Sequence, residues 1–164
     1  MAVDTKKAER RALRFEDYDA VRRELDALEA AHLAGTLRAT GNWTPGQVCA
    51  HLAFFMNAAL DGYPRELSGP PAFVRVLLKL AKNRYLRKGL PVGVRIPRVP
   101  GGTVGAEAVG FEEGLSRLRA ACARLERHAP TRPNPVFGPM THEEWKAINL
   151  RHCELHLGFV HPGM

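Results

Sequence analysis

Two capping boxes fix where two long helices of this chain begin. Thr44 and Gln47 form the first box, with Pro45 between them, and Thr141 and Glu144 form the second. In such a box the threonine hydroxyl accepts from the backbone N–H three residues later, and the later side chain accepts from the threonine N–H. Proline suits the first helical position because an N–H there has no partner within the helix. The chain is therefore predicted to start helices at both places.

Five segments show the apolar spacing of amphipathic helices, in which every third or fourth residue is apolar. The predicted helices cover residues 16–33, 45–60, 72–87, 106–128 and 141–160. Proline- and glycine-rich stretches separate them, and two of these, 90–105 and 129–139, are long enough to be crossover loops. No stretch alternates between apolar and polar residues as a half-buried strand does. We therefore predict an all-α fold in the form of a helical bundle.

Length and composition fit one globular domain over residues 1–164, with 1–13 as a flexible N-terminal extension. The hydrophobic fraction is 45%, which is enough for a core. No apolar run reaches the roughly 18 residues that a membrane span needs, so we expect no membrane partner. The charged start lacks the apolar core of a secretory signal, so a cytoplasmic location is expected. The three cysteines are expected to be buried and reduced.

The formal net charge of +7 raises the question of nucleic-acid binding. The densest basic group lies between Arg75 and Lys88, on the third predicted helix. The apolar face of that helix consists of Phe73, Val76, Leu77, Leu80 and Ala81. Other basic residues are spread along the chain, and we find no nucleic-acid recognition motif. A solvated basic face is therefore favoured over a nucleic-acid partner.

Three histidines stand out as candidate metal ligands. His152 and His156 are four residues apart on the last predicted helix, so they lie on one face about a turn from each other. His51 lies at the edge of the apolar stripe of the second helix. Three neutral imidazoles with a vacant position form the arrangement that catalytic metals need. Cys153 stands where the zinc-protease motif His-Glu-x-x-His has glutamate, which argues against a peptidase of that class.

Three further residues are candidates for lining a pocket beside these histidines. Trp145 and Asn149 share the helix face of His152 and His156, and His161 follows the end of that helix. Packing in the core of the bundle is the favoured interpretation of Trp145, whereas for Asn149 a hydrogen bond elsewhere is as good an interpretation as a place in the pocket. His161 could supply a fourth ligand. No residue is singled out as catalytic.

The segment Trp43–Ala53 resembles the second-helix signature of the DinB/YfiT-like superfamily, in which a Trp-Ser/Thr-x-x-Gln/Glu-x-x-x-His-Leu motif supplies the first metal histidine. The ending His152–Leu157 resembles the His-x-x-x-His pair on the last helix of that superfamily. Asp61–Pro64 and Phe137–Trp145 are similar to motifs of an uncharacterised branch within it. The resemblance covers nearly the whole chain. It implies an up-down-down-up four-helix bundle with a divalent metal, nickel, zinc or iron, on His51, His152 and His156.

The resemblance specifies the ligands of a metal site, but it leaves several functions open. One hypothesis is a metal-dependent enzyme of the thiol-dependent transferase or hydrolase type, which acts on a small molecule. In the transferase version a low-molecular-weight thiol binds at the metal, with its carboxylates held by basic residues such as Arg84, Arg87 or Arg151. In the hydrolase version a metal-bound hydroxide is the nucleophile. A second hypothesis is a non-catalytic module that binds a metal or a small molecule. A basic nucleic-acid-binding bundle is the third and least favoured, and a homodimer is compatible with all three.

Overall fold

The computed structural model describes residues 3–67, 69–96 and 99–163. Within these ranges it has five α-helices and one pair of two-residue strands. The helices are α1 (Tyr18–Leu33), α2 (Pro45–Asp61), α3 (Ala72–Lys88), α4 (Phe111–Arg127) and α5 (His142–Leu157). The strands are β1 (Arg38–Ala39) and β2 (Val160–His161). The prediction of a mainly helical fold is confirmed.

Both predicted capping boxes form. Thr44 Oγ1 accepts from the backbone N–H of Gln47 at 3.2 Å, and Gln47 Oε1 accepts from the N–H of Thr44 at 3.0 Å. At the start of α5, Thr141 Oγ1 accepts from the N–H of Glu144 at 3.2 Å, and Glu144 Oε2 accepts from the N–H of Thr141 at 2.9 Å. These bonds satisfy donors that the helix starts would leave unpaired, and they fix where α2 and α5 begin.

Replacing the cap of α5 is expected to lower the free energy of unfolding. The change Thr141→Ala removes the acceptor for the Glu144 N–H, so we expect a loss of about 1 kcal/mol in urea unfolding. Thr131→Ala is the matched control because Thr131 is exposed in the loop before α5. Equal losses in the two variants would contradict a capping role.

The fourth helix begins later than its sequence pattern predicts. The expected start was residue 106, whereas α4 starts at Phe111, after Gly110 in an extended conformation with φ of −62° and ψ of 159°. The cause is a close approach to α2. A Cβ atom added to Gly46 would lie 2.3 Å from the carbonyl oxygen of Val109. The segment before α4 therefore runs extended across the first turn of α2 instead of continuing the helix.

The main hydrophobic core lies among α1, α2, α4 and α5. Its largest fully buried members are Leu25, Leu28, Leu52, Met56, Leu115, Leu118 and Leu157. A smaller cluster lies beside it, between α3 and α5, and comprises Ala59, Phe137, Trp145 and Ile148. The three cysteines are buried and unpaired, as expected.

The apolar residues of α3 divide between two faces. Leu78, Tyr85 and Leu86 pack against the smaller cluster. Most of the predicted apolar face instead points away from the protein and is exposed, namely Phe73, Val76, Leu77 and Leu80. The helix is therefore held by one face and leaves an apolar face uncovered by the described residues.

A short strand pair joins the region after α1 to the end of the chain. β1 and β2 pair antiparallel, with Arg38 opposite His161 and Ala39 opposite Val160. The sequence predicts no strands, because two residues are too few for alternation to show. The N-terminal segment lies against the same region, where the Arg11 N–H donates to the Gly158 carbonyl at 2.8 Å. Within the described ranges, no helix has the length and apolar character needed to cross a membrane.

Candidate metal centre

The structure brings His51 of α2 together with His152 and His156 of α5. One ring nitrogen from each lies within 4.8 Å of those of the other two. The shortest separation is 3.2 Å, between the Nε2 atoms of His51 and His152. The imidazole rings are packed with centroids 4.6 to 5.0 Å apart. The three predicted ligands therefore converge, although 101 residues separate His51 from His152.

Helix geometry explains this convergence. The capping box sets the start of α2, so that Val48 and Leu52 enter the main core and His51 lies beside them, 3% exposed. On α5, Cys153 and Leu157 are fully buried in the same core, and each follows a histidine directly. Burying one face of each helix against the core thus presents the neighbouring histidines to the α2–α5 interface.

A backbone carbonyl fixes the protonation of His51. Its Nδ1 lies 2.8 Å from the carbonyl oxygen of Val104, which can only accept a hydrogen bond. Nδ1 therefore carries the proton, and Nε2 presents a lone pair toward His152 and His156. Metal-bound histidines are typically oriented by such a hydrogen bond on the nitrogen that does not bind the metal.

The loop that supplies this carbonyl approaches α2 closely. Gly105 follows Val104 and has a φ of +75°, a conformation that favours glycine. A Cβ atom at this position would lie 2.5 Å from the ring of Phe54. The close approach holds the Val104 carbonyl above His51. The long predicted crossover, 90–105, thus contributes a backbone atom to the candidate site.

Aromatic side chains line the histidine cluster. Trp43 stacks on His156, with ring centroids 5.2 Å apart and an interplanar angle of 19°, and its centroid lies 4.7 Å from that of His51. Phe55 lies on the other side, with its ring centroid 4.9 Å from His51 and 5.1 Å from His152. These contacts restrict the rings of the histidines and keep the cluster apolar at its edges.

Burial keeps the three imidazoles neutral. It lowers the pKa of His51 to about 4, and the bond to the Val104 carbonyl opposes this only in part. Burial lowers the pKa values of His152 and His156 well below the usual range, and the neighbouring imidazoles lower them further. All three are therefore uncharged at neutral pH. Neutral imidazole is the form that binds a metal ion.

The spacing of the His51 and His152 Nε2 atoms suits a shared metal ion. Two imidazole nitrogens bound at about 2.0–2.1 Å lie roughly 2.9 Å apart at a right angle and roughly 3.3 Å apart at the tetrahedral angle. The Nε2 atoms of His51 and His152 are 3.2 Å apart, between these limits. Cys153 is not a candidate ligand, because it is fully buried in the core and burial raises the pKa of its thiol.

The remaining predicted pocket residues have other environments. Trp145 is 2% exposed and belongs to the smaller cluster with Phe137 and Ile148. Asn149 donates from Nδ2 to the carbonyl of Trp145 at 2.9 Å. His161 lies in β2, with Nε2 3.3 Å from Thr40 Oγ1. Among the described residues, the compact histidine group comprises His51, His152 and His156.

The basic residues suggested for holding a carboxylate lie in two different places. Arg84 and Arg87 are exposed on α3. Arg151 is buried and donates to the Phe15 carbonyl at 2.5 Å and to Glu154 at 2.8 Å. Two residues of helical rotation place Glu154 on a different face of α5 from His152. Its carboxylate accepts from the Phe15 N–H and is therefore used in a contact with the N-terminal segment.

Sequence reasoning missed three components of the site. Val104 contributes only a carbonyl, a group that every residue carries, so no side-chain pattern marks it. In the sequence Trp43 stands out only as the first residue of the Trp43–Ala53 segment, which does not predict its stacking on His156. Phe55 is partly exposed and contacts both His51 and His152. For Trp43 and Phe55, their position one or two turns from His51 was the available signal.

Comparison with known proteins identifies a family but no activity. No curated protein and no solved structure matches the chain. One family model, described as a protein of unknown function (DUF1569), matches residues 7–163. Because this match covers almost the entire sequence, the chain belongs to the DUF1569 family.

Proposed function

We propose that this chain is a DinB-like metalloprotein that holds a divalent metal ion through His51, His152 and His156. The observation that carries the proposal is the convergence of three neutral imidazoles from two helices, with ring nitrogens within 4.8 Å of one another. The hydrogen bond from His51 Nδ1 to Val104 supports it, because that bond directs the free Nε2 toward the other two rings. Nickel, zinc and iron all suit three imidazole ligands.

The arrangement of the helices supports the DinB-like assignment. α1, α2, α4 and α5 share the main core and would form the up-down-down-up bundle, with α3 as an added helix on α5. The first histidine follows the Trp43–Gln47 motif on the second helix, and the pair lies on the last one. These are the positions that the resemblance assigns to the metal ligands.

The proposed activity is that of a metal-dependent enzyme of the thiol-dependent transferase or hydrolase type. A divalent ion with open positions supplies Lewis acidity, which lowers the pKa of a water molecule or a thiol to near neutrality. Trp43 and Phe55 pack against the imidazoles, and the Val104 carbonyl orients His51.

Elemental analysis of protein purified without a metal-affinity tag tests the site. We expect about one nickel, zinc or iron per chain in the wild type and almost none in His51→Ala or His156→Ala, because two imidazoles bind far more weakly than three. His142→Ala is the matched control, since His142 is exposed in the first turn of α5.

The outcomes separate the proposed functions. Absence of metal after loading, with identical behaviour of all three variants, would overturn the metal site, and the short Nε2 to Nε2 contact would then be an imidazole–imidazole hydrogen bond. Bound metal without turnover in a screen of thiol cosubstrates and hydrolysable esters and amides would indicate the non-catalytic binding module. Turnover that requires both metal and thiol would establish the transferase.

A further inference from the structure

The outer face of α3 is an exposed apolar stripe. Phe73, Val76, Leu77 and Leu80 are between 59% and 78% exposed. Their spacing of three and four residues places them in one row along the first two turns of the helix. Single exposed apolar residues are common, but a contiguous group on one helix face marks a surface that binds something.

The helix is fixed to the protein by its opposite face. Leu78 and Tyr85 pack against the cluster that contains Phe137 and Trp145, and Lys82 Nζ lies 2.5 Å from Glu144 Oε1 on α5. The inner face is therefore already packed against the protein. The outer stripe is an additional apolar surface on a helix that is already docked.

The whole net positive charge of the protein lies in the segment that contains this stripe. Residues 67–106 include eight Lys and Arg and no Asp or Glu. The remaining residues carry 16 basic and 17 acidic side chains. Outside residues 67–106 the numbers of basic and acidic side chains are thus nearly equal, and the excess of basic side chains is confined to the segment around α3.

Basic side chains continue the same face of α3 beyond the apolar row. Arg84 is four residues after Leu80, and Arg87 is seven residues after it, so both follow the stripe along one side of the helix. Both are exposed. Among the side chains that the structure describes, Lys82 is the one basic residue of α3 that pairs with an acid. The outer face thus combines two apolar turns with two basic turns.

We propose that α3 docks this face onto an anionic lipid surface. Helices of this kind lie in the plane of the interface, with the apolar row at the boundary between headgroups and acyl chains and the basic side chains on anionic headgroups. A nucleic acid would engage Arg84 and Arg87 but leave the apolar row without a partner. A second copy would bring two strongly basic segments together across a two-fold axis, which like-charge repulsion opposes. An anionic lipid surface would contact both the apolar row and the basic side chains of this face.

This partner differs from the expectation drawn from the sequence. That expectation of no membrane partner rested on the length of apolar runs, which applies to spanning helices. A helix that lies in the interface needs only one apolar face and can have low overall hydrophobicity. The proposed docking face on α3 contains none of the three histidines of the candidate metal site.

Flotation of the full-length protein with vesicles tests the proposal. We expect binding to vesicles of phosphatidylcholine with about one-third phosphatidylserine, little binding to phosphatidylcholine alone, and weakening by salt. Arg84→Gln with Arg87→Gln is expected to weaken binding about 25-fold, at roughly fivefold for each charge. Leu77→Ser with Leu80→Ser is expected to weaken it by more than about tenfold.

Matched controls separate a docking face from general surface effects. Leu33→Ser removes an equally exposed leucine on α1, and Arg23→Gln removes an exposed arginine of α1. Both should bind vesicles as the wild type does, and thermal unfolding should show that all variants are folded. Loss of binding in the control variants as well would refute a specific role of α3.

Three other results would overturn the proposal. The first is no binding to either type of vesicle. The second is a dimer, seen by light scattering, that the leucine variants convert to a monomer without any vesicle binding by the wild type. The third is salt-sensitive binding to a DNA duplex, lost in the arginine variants but kept in the leucine variants, again without binding to vesicles.

Discussion

Saturating metal is expected to raise the free energy of unfolding of the wild-type chain by about 4 kcal/mol when free metal exceeds its dissociation constant a thousandfold. For a chain of 164 residues this corresponds to a rise in Tm of roughly 10 °C. The physical reason is that the site exists only in the folded state. His51 and His152 are 101 residues apart in the sequence and meet through the packing of α2 against α5. The unfolded chain therefore binds the metal much more weakly.

The variant His51→Ala gives the sharpest comparison. His152 and His156 remain as a local pair on one helix, which part of the unfolded ensemble can also form, so the added metal should stabilise this variant by less than about 1 kcal/mol. Each variant is measured with and without zinc or nickel, so that any effect of the substitution on the metal-free protein cancels. His142→Ala should show the full wild-type shift, and EDTA should reverse it.

Equal stabilisation of the wild type and His51→Ala would place the metal elsewhere on the molecule. A shift that is lost in His51→Ala but kept in His156→Ala would reduce the site to His51 and His152. Only loss in both variants agrees with the proposed shared ion on three imidazoles, whose ring nitrogens lie within 4.8 Å of one another.

The helix starts and the histidine trio could be predicted because local rules determine them. The boxes at Thr44 and Thr141 depend on residues three positions apart, and both form as expected. The pair His152 and His156 follows from helical spacing. Local rules do not predict that His51 meets this pair. The three histidines meet because the residues next to them on α2 and α5 are buried in the same core.

Other features depend on contacts between distant residues and leave little local signal. The apolar pattern before α4 predicts helix, but the backbone at Val109 is pressed against Gly46 and stays extended. The periodicity of α3 correctly identifies an apolar row, yet periodicity cannot tell whether a neighbour covers it. His161 follows α5 directly in sequence, but pairing of β2 with β1 places it beside Thr40.

Gly114→Ala is expected to lower the free energy of unfolding by about 2–3 kcal/mol, as overpacked substitutions do. In an exposed helix interior the same change would instead stabilise the protein by up to about 1 kcal/mol, because glycine is a poor helix former. The two effects have opposite signs, so urea unfolding distinguishes them clearly. The reason for the loss is that a Cβ atom at Gly114 would lie 2.5 Å from the carbonyl oxygen of Gly46 and 3.1 Å from Cys49 Cβ.

Gly110→Ala is the matched control, because a Cβ atom there has nothing within 4 Å and should cost less than about 1 kcal/mol. The clash at Gly114 involves backbone of α2 and cannot be relieved by rotating a side chain. α2 must therefore move away from α4, and it carries His51 five residues after Gly46. We accordingly expect Gly114→Ala to weaken metal binding as well, although Gly114 lies on a helix that supplies no ligand. If Gly114→Ala instead stabilises the protein, the space between α2 and α4 must be large enough to accept the added Cβ atom, which would contradict the close packing at Gly46 and Gly114.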